Sequence, residues 1–166
     1  MSRHQAEQDF EEFYRKTAPR VVHLVYATTG DMTIAQDSAQ EAFARAWQRW
    51  SQISTYDEPL AWVRTVARRL AISAWRKKSA QDRAYARHGA PTSVAGPGVD
   101  RVAVLEALQT LSEPIRESVA LFYIADLSIE QIAEETGAAV GTVKSHLHRG
   151  RRQLADALEI KENDHA

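Results

Sequence analysis

The chain has 166 residues, of which 44% are hydrophobic and 26% charged, a composition typical of a soluble globular protein. It contains no cysteine, which excludes disulfides and thiolate metal sites, and no apolar run approaches the roughly 18 residues that a membrane span needs. Residues 1–10 are polar and partly acidic, unlike a secretory signal, so we expect a cytoplasmic protein without membrane insertion.

The net charge of −1 hides a strong pattern along the chain. Residues 1–60 carry six basic and nine acidic side chains, whereas residues 61–87 carry eight basic side chains and only Asp82 as an acid. Residues 100–137 are acidic again, and residues 138–154 then hold four basic side chains and no acid. Phosphate binding depends on local positive charge, so the pattern is compatible with two DNA contacts. A solvated helix face would give either basic segment alone the same composition.

Apolar residues recur with a helical period nearly throughout, and no segment alternates as a strand does. The first helix reaches Pro19, beyond which residues 21–25 either continue it or start a second helix. Side-chain oxygens at residues 31–33 are suited to cap the next helix. The polar segment 51–59 predicts a loop, with Pro59 in the first turn of a long helix. The core stripe of that helix consists of Leu60, Trp62, Val63, Val66, Ala67, Leu70, Ala71 and Trp75.

A change of composition divides the chain. Residues 86–99 contain three of the seven glycines and two of the five prolines, with few large apolar side chains, as flexible linkers do. Helical periodicity resumes at Val102. We therefore predict an all-α fold of two small helical domains, residues 10–79 and 102–158, joined by a flexible linker over residues 80–101.

The segment 128–154 has the pattern of a helix-turn-helix, whose second helix lies in the DNA major groove. Ser128 is a good N-cap, and Gly137 supplies the left-handed residue that the turn requires. Val140 is expected to pack the turn, small Ala133 to permit a close crossing of the two helices, and Val143 and Leu147 to face inward. The outer face offers groups that contact phosphates and base edges: Thr142, Lys144, Ser145, His148, Arg149, Arg151 and Arg152.

Two other interpretations of this segment are considered. Any small helical hairpin with a glycine turn and a basic outer face would look similar. His146 and His148 suggest a metal site, but residues two apart on a helix do not face each other, so we predict no metal there.

From residue 10 to residue 158 the chain resembles the extracytoplasmic-function group of bacterial sigma factors. Residues 111–123 (LSEPIRESVALFY) and 127–133 (LSIEQIA) are similar to the family's region 4, and residues 140–151 (VGTVKSHLHRGR) to its recognition helix. Residues 37–47 (DSAQEAFARAW) resemble region 2.2, and residues 61–78 (AWVRTVARRLAISAWRKK) resemble region 2.4. The chain departs from the family pattern at Arg69, Ser73 and His146.

The resemblance implies a role for each matching position. Asp37, Gln40, Glu41 and Arg45 match the helix that docks on core RNA polymerase, and their spacing also places them on one helical face. Phe43 and Trp47 are expected in the core, as is Trp62. The loop at residues 52–58 corresponds to the one that captures a base of the −10 element, with Tyr56 as a stacking surface. The candidates for contact with the −10 DNA backbone are Arg64, Arg68, Arg69, Arg76 and Lys77.

The resemblance further implies an alternative sigma factor that binds core RNA polymerase and promoter DNA and is held inactive by an anti-sigma factor. Residues 10–79 would read the −10 element and residues 102–158 the −35 element, and the protein would be associated with the nucleoid when bound to polymerase. No cofactor and no catalytic chemistry are expected. One rival is a conventional repressor or activator that uses residues 102–158 alone. An enzyme is the other, and it is disfavoured because the sequence has no glycine-rich phosphate loop, metal-ligand spacing or nucleophile elbow.

Overall fold

A computed structural model describes residues 1–85 and 99–164, which form eight α-helices and no strand. This confirms the predicted all-α class. No helix in those two stretches is both long enough and apolar enough to span a bilayer. The chain divides into two compact units, a first unit, Met1–Lys78, and a second unit, Ser79–Ala166. The helices are α1 Arg3–Thr29, α2 Met32–Gln48, α3 Trp50–Ile53, α4 Pro59–Tyr85, α5 Val99–Gln109, α6 Glu113–Tyr123, α7 Ile129–Thr136 and α8 Val140–Asp164.

In the first unit, α1 is a single helix of 27 residues that continues through Pro19. An interior proline removes one backbone hydrogen bond and normally costs about 3 kcal/mol or more. Here α1 is anchored on both sides of the proline: Phe13 packs against the core before it, and Val21 and Val25 are buried after it. This burial on both sides offsets the cost, which settles the alternative that the sequence left open.

The connection from α1 to α2 is a tight turn. Gly30 ends α1 in the left-handed conformation with φ 69°, and its N–H donates to the carbonyl of Tyr26. Asp31 caps α2 as predicted, since its Oδ1 accepts a hydrogen bond of 3.0 Å from the backbone N–H of Ile34. Such a short connection folds α2 back along α1 as a helical hairpin.

The segment predicted as a loop begins instead with a helical turn, α3. Its two apolar residues, Trp50 and Ile53, are buried, and the indole N–H of Trp50 donates to Asp9 Oδ2 at 3.2 Å. The prediction that Trp47 belongs to the core was wrong, because Trp47 is 39% exposed, although its ring contacts that of Phe10 in a tilted arrangement at a centroid distance of 5.2 Å. Phe43 is buried as predicted.

Helix α4 begins at Pro59, as expected, and buries Val63, Ala67 and Ala71. Trp62 is partly buried. Helix α4 runs to Tyr85 and α5 begins at Val99, so both ends of the predicted linker are helical. The remaining residues of that linker, 86–98, lie outside the described residues.

The second unit packs α5, α6 and α7 around α8. Arg116 is buried near the start of α6, where its Nη1 donates to the carbonyl of Leu111 at 3.2 Å. This bond ties α6 to the turn that follows α5. The buried apolar residues of the unit are Ala107, Leu108, Leu111, Ile115, Val119, Ala120, Leu121, Leu127, Ile132, Val143 and Leu147.

Candidate nucleic-acid and protein interfaces

The α7–α8 pair has the geometry predicted from the sequence. Ser128 and Gln131 form a capping box, in which Gln131 N donates to Ser128 Oγ at 3.1 Å and Ser128 N donates to Gln131 Oε1 at 2.9 Å. Gly137 ends α7 with φ 77°, a left-handed conformation that glycine adopts without strain. Residues 137–139 then turn the chain into α8, which gives a helix-turn-helix with a three-residue turn.

The inner face of α8 is also as expected, since Val143 and Leu147 are fully buried. Val140 was expected to pack the turn but is 39% exposed. The first residue of a helix has fewer neighbours than residues one turn further along, and the helical period alone does not show that difference.

The second unit contains a close helix contact that the sequence analysis missed. Gly150 of α8 lies so near α6 that an added Cβ would stand 2.5 Å from Val119 Cγ2 and 3.1 Å from Ile115 Cγ2. Ala133, the residue predicted to permit close packing, is only partly buried. A glycine inside a helix does not by itself signal such a contact, because Gly141 of the same helix has no atom within 4 Å of an added Cβ.

All seven side chains predicted to face DNA on α8 are exposed: Thr142, Lys144, Ser145, His148, Arg149, Arg151 and Arg152. Residues 138–154 contain no acid, so the positive potential of this face is not cancelled within the segment. Lys144, His148 and Arg151 follow each other at steps of four and three residues and form one flank of the helix. Arg151 Nη1 donates a hydrogen bond of 3.2 Å to the phenol oxygen of Tyr123 at the end of α6.

His146 does not belong to that face. It is partly buried, and its Nδ1 lies 3.4 Å from Ser118 Oγ of α6. The departure from the family pattern at this position therefore falls on the contact between α6 and α8. Within residues 1–85 and 99–164 no group of three or more His, Asp or Glu side chains is arranged to hold a metal ion.

Helix α4 carries the second basic segment, and the structure corrects two of its predicted DNA contacts. Arg64 and Arg68 are only 7% and 4% exposed, and both are engaged in interactions within the protein. A guanidinium group covered in this way does not reach a phosphate. Each arginine directly follows a core residue, Val63 or Ala67, and so lies at the edge of the buried stripe. Arg69, Arg76 and Lys77 are exposed.

The C-terminal part of α4 is held to the start of α2 by an ion pair between Lys78 and Asp31. Burial by itself would raise the pKa of Asp31. The hydrogen bonds from Lys78 and from the N–H of Ile34 lower this pKa, and together they outweigh the effect of burial, so the pKa lies below its ordinary value. The same carboxylate therefore caps α2 and binds α4.

Tyr56 lies in the turn between α3 and α4 and is 38% exposed. The structure thus leaves part of its ring open beside the start of the basic helix. An exposed aromatic ring offers a surface on which an unstacked base can lie.

The four residues assigned to protein docking lie on the exposed side of α2: Asp37, Gln40, Glu41 and Arg45. Arg45 Nε donates to Glu41 Oε1 at 2.9 Å, so these two charges pair with each other. The opposite side of α2 is buried through Ala35, Ala39 and Ala42. This exposed face of α2 is therefore polar and is backed by the buried alanines on the opposite side.

Next to that face, α1 and α2 border a groove of about 750 Å³ that the sequence analysis did not predict. Two exposed apolar side chains, Tyr14 and Met32, line it together with Gln36, one helical turn before Gln40. Apolar residues of an amphipathic helix are usually buried, so the helical period alone did not predict that Tyr14 and Met32 would line a surface groove.

Comparison with known proteins matches both units to one family. The model of Sigma-70 region 2 matches residues 13–81, and the model of Sigma-70, region 4, matches residues 101–154. The ECF RNA polymerase sigma factor SigK of Mycobacterium tuberculosis (strain H37Rv) is 29% identical over 161 aligned positions, and the alignment covers 91% of this chain and 86% of SigK. The SigK of Mycobacterium sp. (strain KMS) is 29% identical over 171 aligned positions, and the alignment covers 92% of this chain and 86% of that SigK.

Solved structures show the same fold. The sigma factor RpoE of Bartonella quintana, in complex with the anti-sigma factor NepR, matches with a TM-score of 0.78 and 24% identity, covering 92% of this chain and 98% of RpoE. CnrH, in complex with the cytosolic domain of CnrY, matches with a TM-score of 0.68 and 20% identity, covering 94% of each chain.

Proposed function

We propose that the two units of this chain, which belongs to the extracytoplasmic-function group of the sigma-70 family, carry out different functions of a sigma factor. It is an alternative sigma factor, which binds core RNA polymerase and directs promoter-specific transcription initiation. What we add is the assignment of these tasks to particular surfaces and side chains.

We assign recognition of the −35 element to α8. The observation that supports this most strongly is the exposed basic face that α8 presents over its acid-free part, up to residue 154, in a helix-turn-helix with a capping box and a left-handed glycine turn. The first turns of such a helix meet base edges, so Thr142, Lys144, Ser145, His148 and Arg149 are placed at the bases or the nearest phosphates. Arg151 and Arg152, further along, contact the backbone and supply affinity.

We assign the −10 element to residues 10–79, which the exposed side chains of α4 and of the α3–α4 turn support. Arg69, Arg76 and Lys77 hold the DNA backbone, and Tyr56 stacks on the captured base. Arg64 and Arg68 are removed from the set of direct contacts because they are buried, and we give them the role of fixing α4 within the first unit.

We assign docking on core RNA polymerase to the exposed side of α2, with Asp37, Gln40, Glu41 and Arg45 as its contacts. Glu41 and Arg45 pair with each other at 2.9 Å on this exposed side, so the surface carries both charges within one helical turn. Replacing Asp37, Gln40 and Glu41 together by Ala is expected to lower core affinity at least tenfold, as the loss of a central cluster of contacts does. Retained affinity would remove this role.

We further propose that an anti-sigma factor masks these surfaces, as RpoE of Bartonella quintana is found with NepR. The protein then acts in the cytoplasm, joins the nucleoid when it is bound to polymerase, and carries out no chemistry itself. Residues 80–101 connect the two promoter-reading parts.

The test is run-off transcription with purified core polymerase on genomic fragments that carry candidate promoters. A discrete start that depends on the added protein is the expected result. If the protein neither binds core nor directs a start but binds duplex DNA tightly alone, it is a conventional regulator that uses only its second unit. If it does none of these, the proposed assignments fail together.

A further inference from the structure

We propose that Tyr123 is a positioning residue for DNA binding, whose phenol oxygen holds Arg151 so that its guanidinium group faces a backbone phosphate. The inference rests on the proposed DNA-binding role of α8 and adds to it a residue outside that helix. Tyr123 belongs to α6 and was not among the residues singled out by the sequence.

The contact joins two helices at their surface. Tyr123 is the last residue of α6 and is 50% exposed, and its ring packs edge-on against Phe122 at a ring distance of 4.9 Å. Its phenol oxygen accepts a hydrogen bond of 3.2 Å from Arg151 Nη1, across 28 residues of sequence. The end of an otherwise flexible arginine is therefore tied to a separate element of the unit.

The backbone of Arg151 is fixed as well. Its neighbour Gly150 lies in close contact with Val119 of α6, and Val119 stands one helical turn before Tyr123 on α6. The contact of His146 with Ser118, one turn earlier on α8, lies on the same interface. Because both helices are held together here, the phenol needs only to fix the side-chain end of Arg151.

Because Tyr123 is uncharged, its hydrogen bond positions the guanidinium group of Arg151 without neutralising the positive charge. Glu41 pairs with Arg45 through a carboxylate, which cancels the positive charge, whereas the phenol of Tyr123 is neutral. A guanidinium group has five N–H donors, and the bond to Tyr123 takes one of them. Arg151 therefore keeps its full charge and further donors for a phosphate, while it loses less conformational entropy on binding.

The test uses the full chain assembled with core polymerase and a fluorescently labelled duplex that carries a promoter found by run-off transcription. Tyr123→Phe removes the hydroxyl and keeps the ring, and we expect it to weaken duplex binding about threefold to tenfold, as the loss of one modest hydrogen bond does. Arg151→Ala is expected to weaken binding at least as much. The double variant should bind no more weakly than Arg151→Ala alone, because the phenol acts through that arginine.

Two controls separate this role from a structural one. Tyr123→Phe should leave the thermal unfolding midpoint unchanged, and Tyr14→Phe, at an exposed tyrosine of the first unit, should leave duplex binding unchanged. An unchanged affinity of Tyr123→Phe, or additive losses in the double variant, would overturn the inference. If Lys144→Ala and Arg149→Ala also leave binding unchanged, the DNA-binding role of α8 itself fails; if they weaken it while Tyr123→Phe does not, only the role of Tyr123 fails.

Discussion

The two units each place a basic segment on a long helix, yet they use its charges differently. In α4 of the first unit, Arg64 and Arg68 are buried and engaged within the protein, while Arg69, Arg76 and Lys77 reach the surface. In α8 of the second unit every basic side chain of residues 138–154 is exposed. A count of positive charges in the sequence therefore overstates the exposed basic surface of α4, whereas for residues 138–154 of α8 the count and the exposed surface agree.

The difference comes from how each helix is packed. Helix α4 buries a stripe of Val63, Ala67 and Ala71, and arginines next to such small residues have room to lay their aliphatic stems along the core. Helix α8 buries Val143 and Leu147 and presses Gly150 onto α6, so its basic residues are left on the opposite side. The neighbouring residues in the stripe, and not the charge itself, decide where an arginine lies.

The largest expected effect contrasts two adjacent arginines of α4. Arg68→Ala should lower the free energy of unfolding by about 2 kcal/mol, because it removes a buried charged group together with the interactions it makes. Arg69→Ala, at the exposed position beside it, should change that free energy by less than about 0.5 kcal/mol. Chemical denaturation of both variants measures the difference, and equal effects would mean that burial does not separate the two residues.

A second pair of variants examines the packing of α8. Gly150→Ala should destabilise the protein by about 1–2 kcal/mol, because the new methyl group would overlap Val119. Gly141→Ala in the same helix meets nothing within 4 Å and should stabilise it by about 0.5–1 kcal/mol, the usual gain of alanine over glycine in a helix. Thermal unfolding should therefore shift in opposite directions, and a stabilising Gly150→Ala would contradict the close contact.

The exposed charges of α8 should appear in the salt dependence of DNA binding. Lys144→Ala and Arg149→Ala are each expected to weaken binding of the polymerase-bound protein to promoter duplex. Each should also reduce the slope of log affinity against log salt by about 0.9 for every phosphate that the variant no longer neutralises. Arg64→Ala should leave that slope unchanged, since Arg64 is buried. If the salt slope changed with Arg64→Ala and not with Lys144→Ala or Arg149→Ala, the assignment of exposed charges to α8 and of buried charges to α4 would be contradicted.

The smallest expected effect concerns the ion pair at the end of the first unit. The pKa of Asp31 is lowered in the folded state, so its contribution is present above the unfolded pKa of about 3.9 and is lost as the pH falls through the folded value. Asp31→Asn keeps an oxygen to cap α2 but loses the charge, and it should cost about 0.5–1 kcal/mol at neutral pH. Between pH 7 and pH 3 the free energy of unfolding should fall less for Asp31→Asn than for the unaltered protein. An equal fall in both proteins would mean that the ion pair of Asp31 does not cause it.

The local features of the chain were set by its sequence. The caps at Asp31 and Ser128, the left-handed Gly137 and the start of α4 at Pro59 were all predicted, because capping and turn formation depend on residues a few positions apart. The division into two helical parts was predicted from a change in composition, which is also a local property of the sequence.

Only the tertiary structure decided which residues at the edge of each helical stripe are covered. Trp47 and Val140 are more exposed than their period suggested, Arg68 is buried, and Gly150 marks a close helix contact that no local pattern shows. The contact between Tyr123 and Arg151 joins residues 28 apart and depends on how α6 and α8 pack. Helical periodicity fixes the direction of a side chain to within a broad arc, but its burial is set by the shape of the neighbouring helix, which lies far away in sequence.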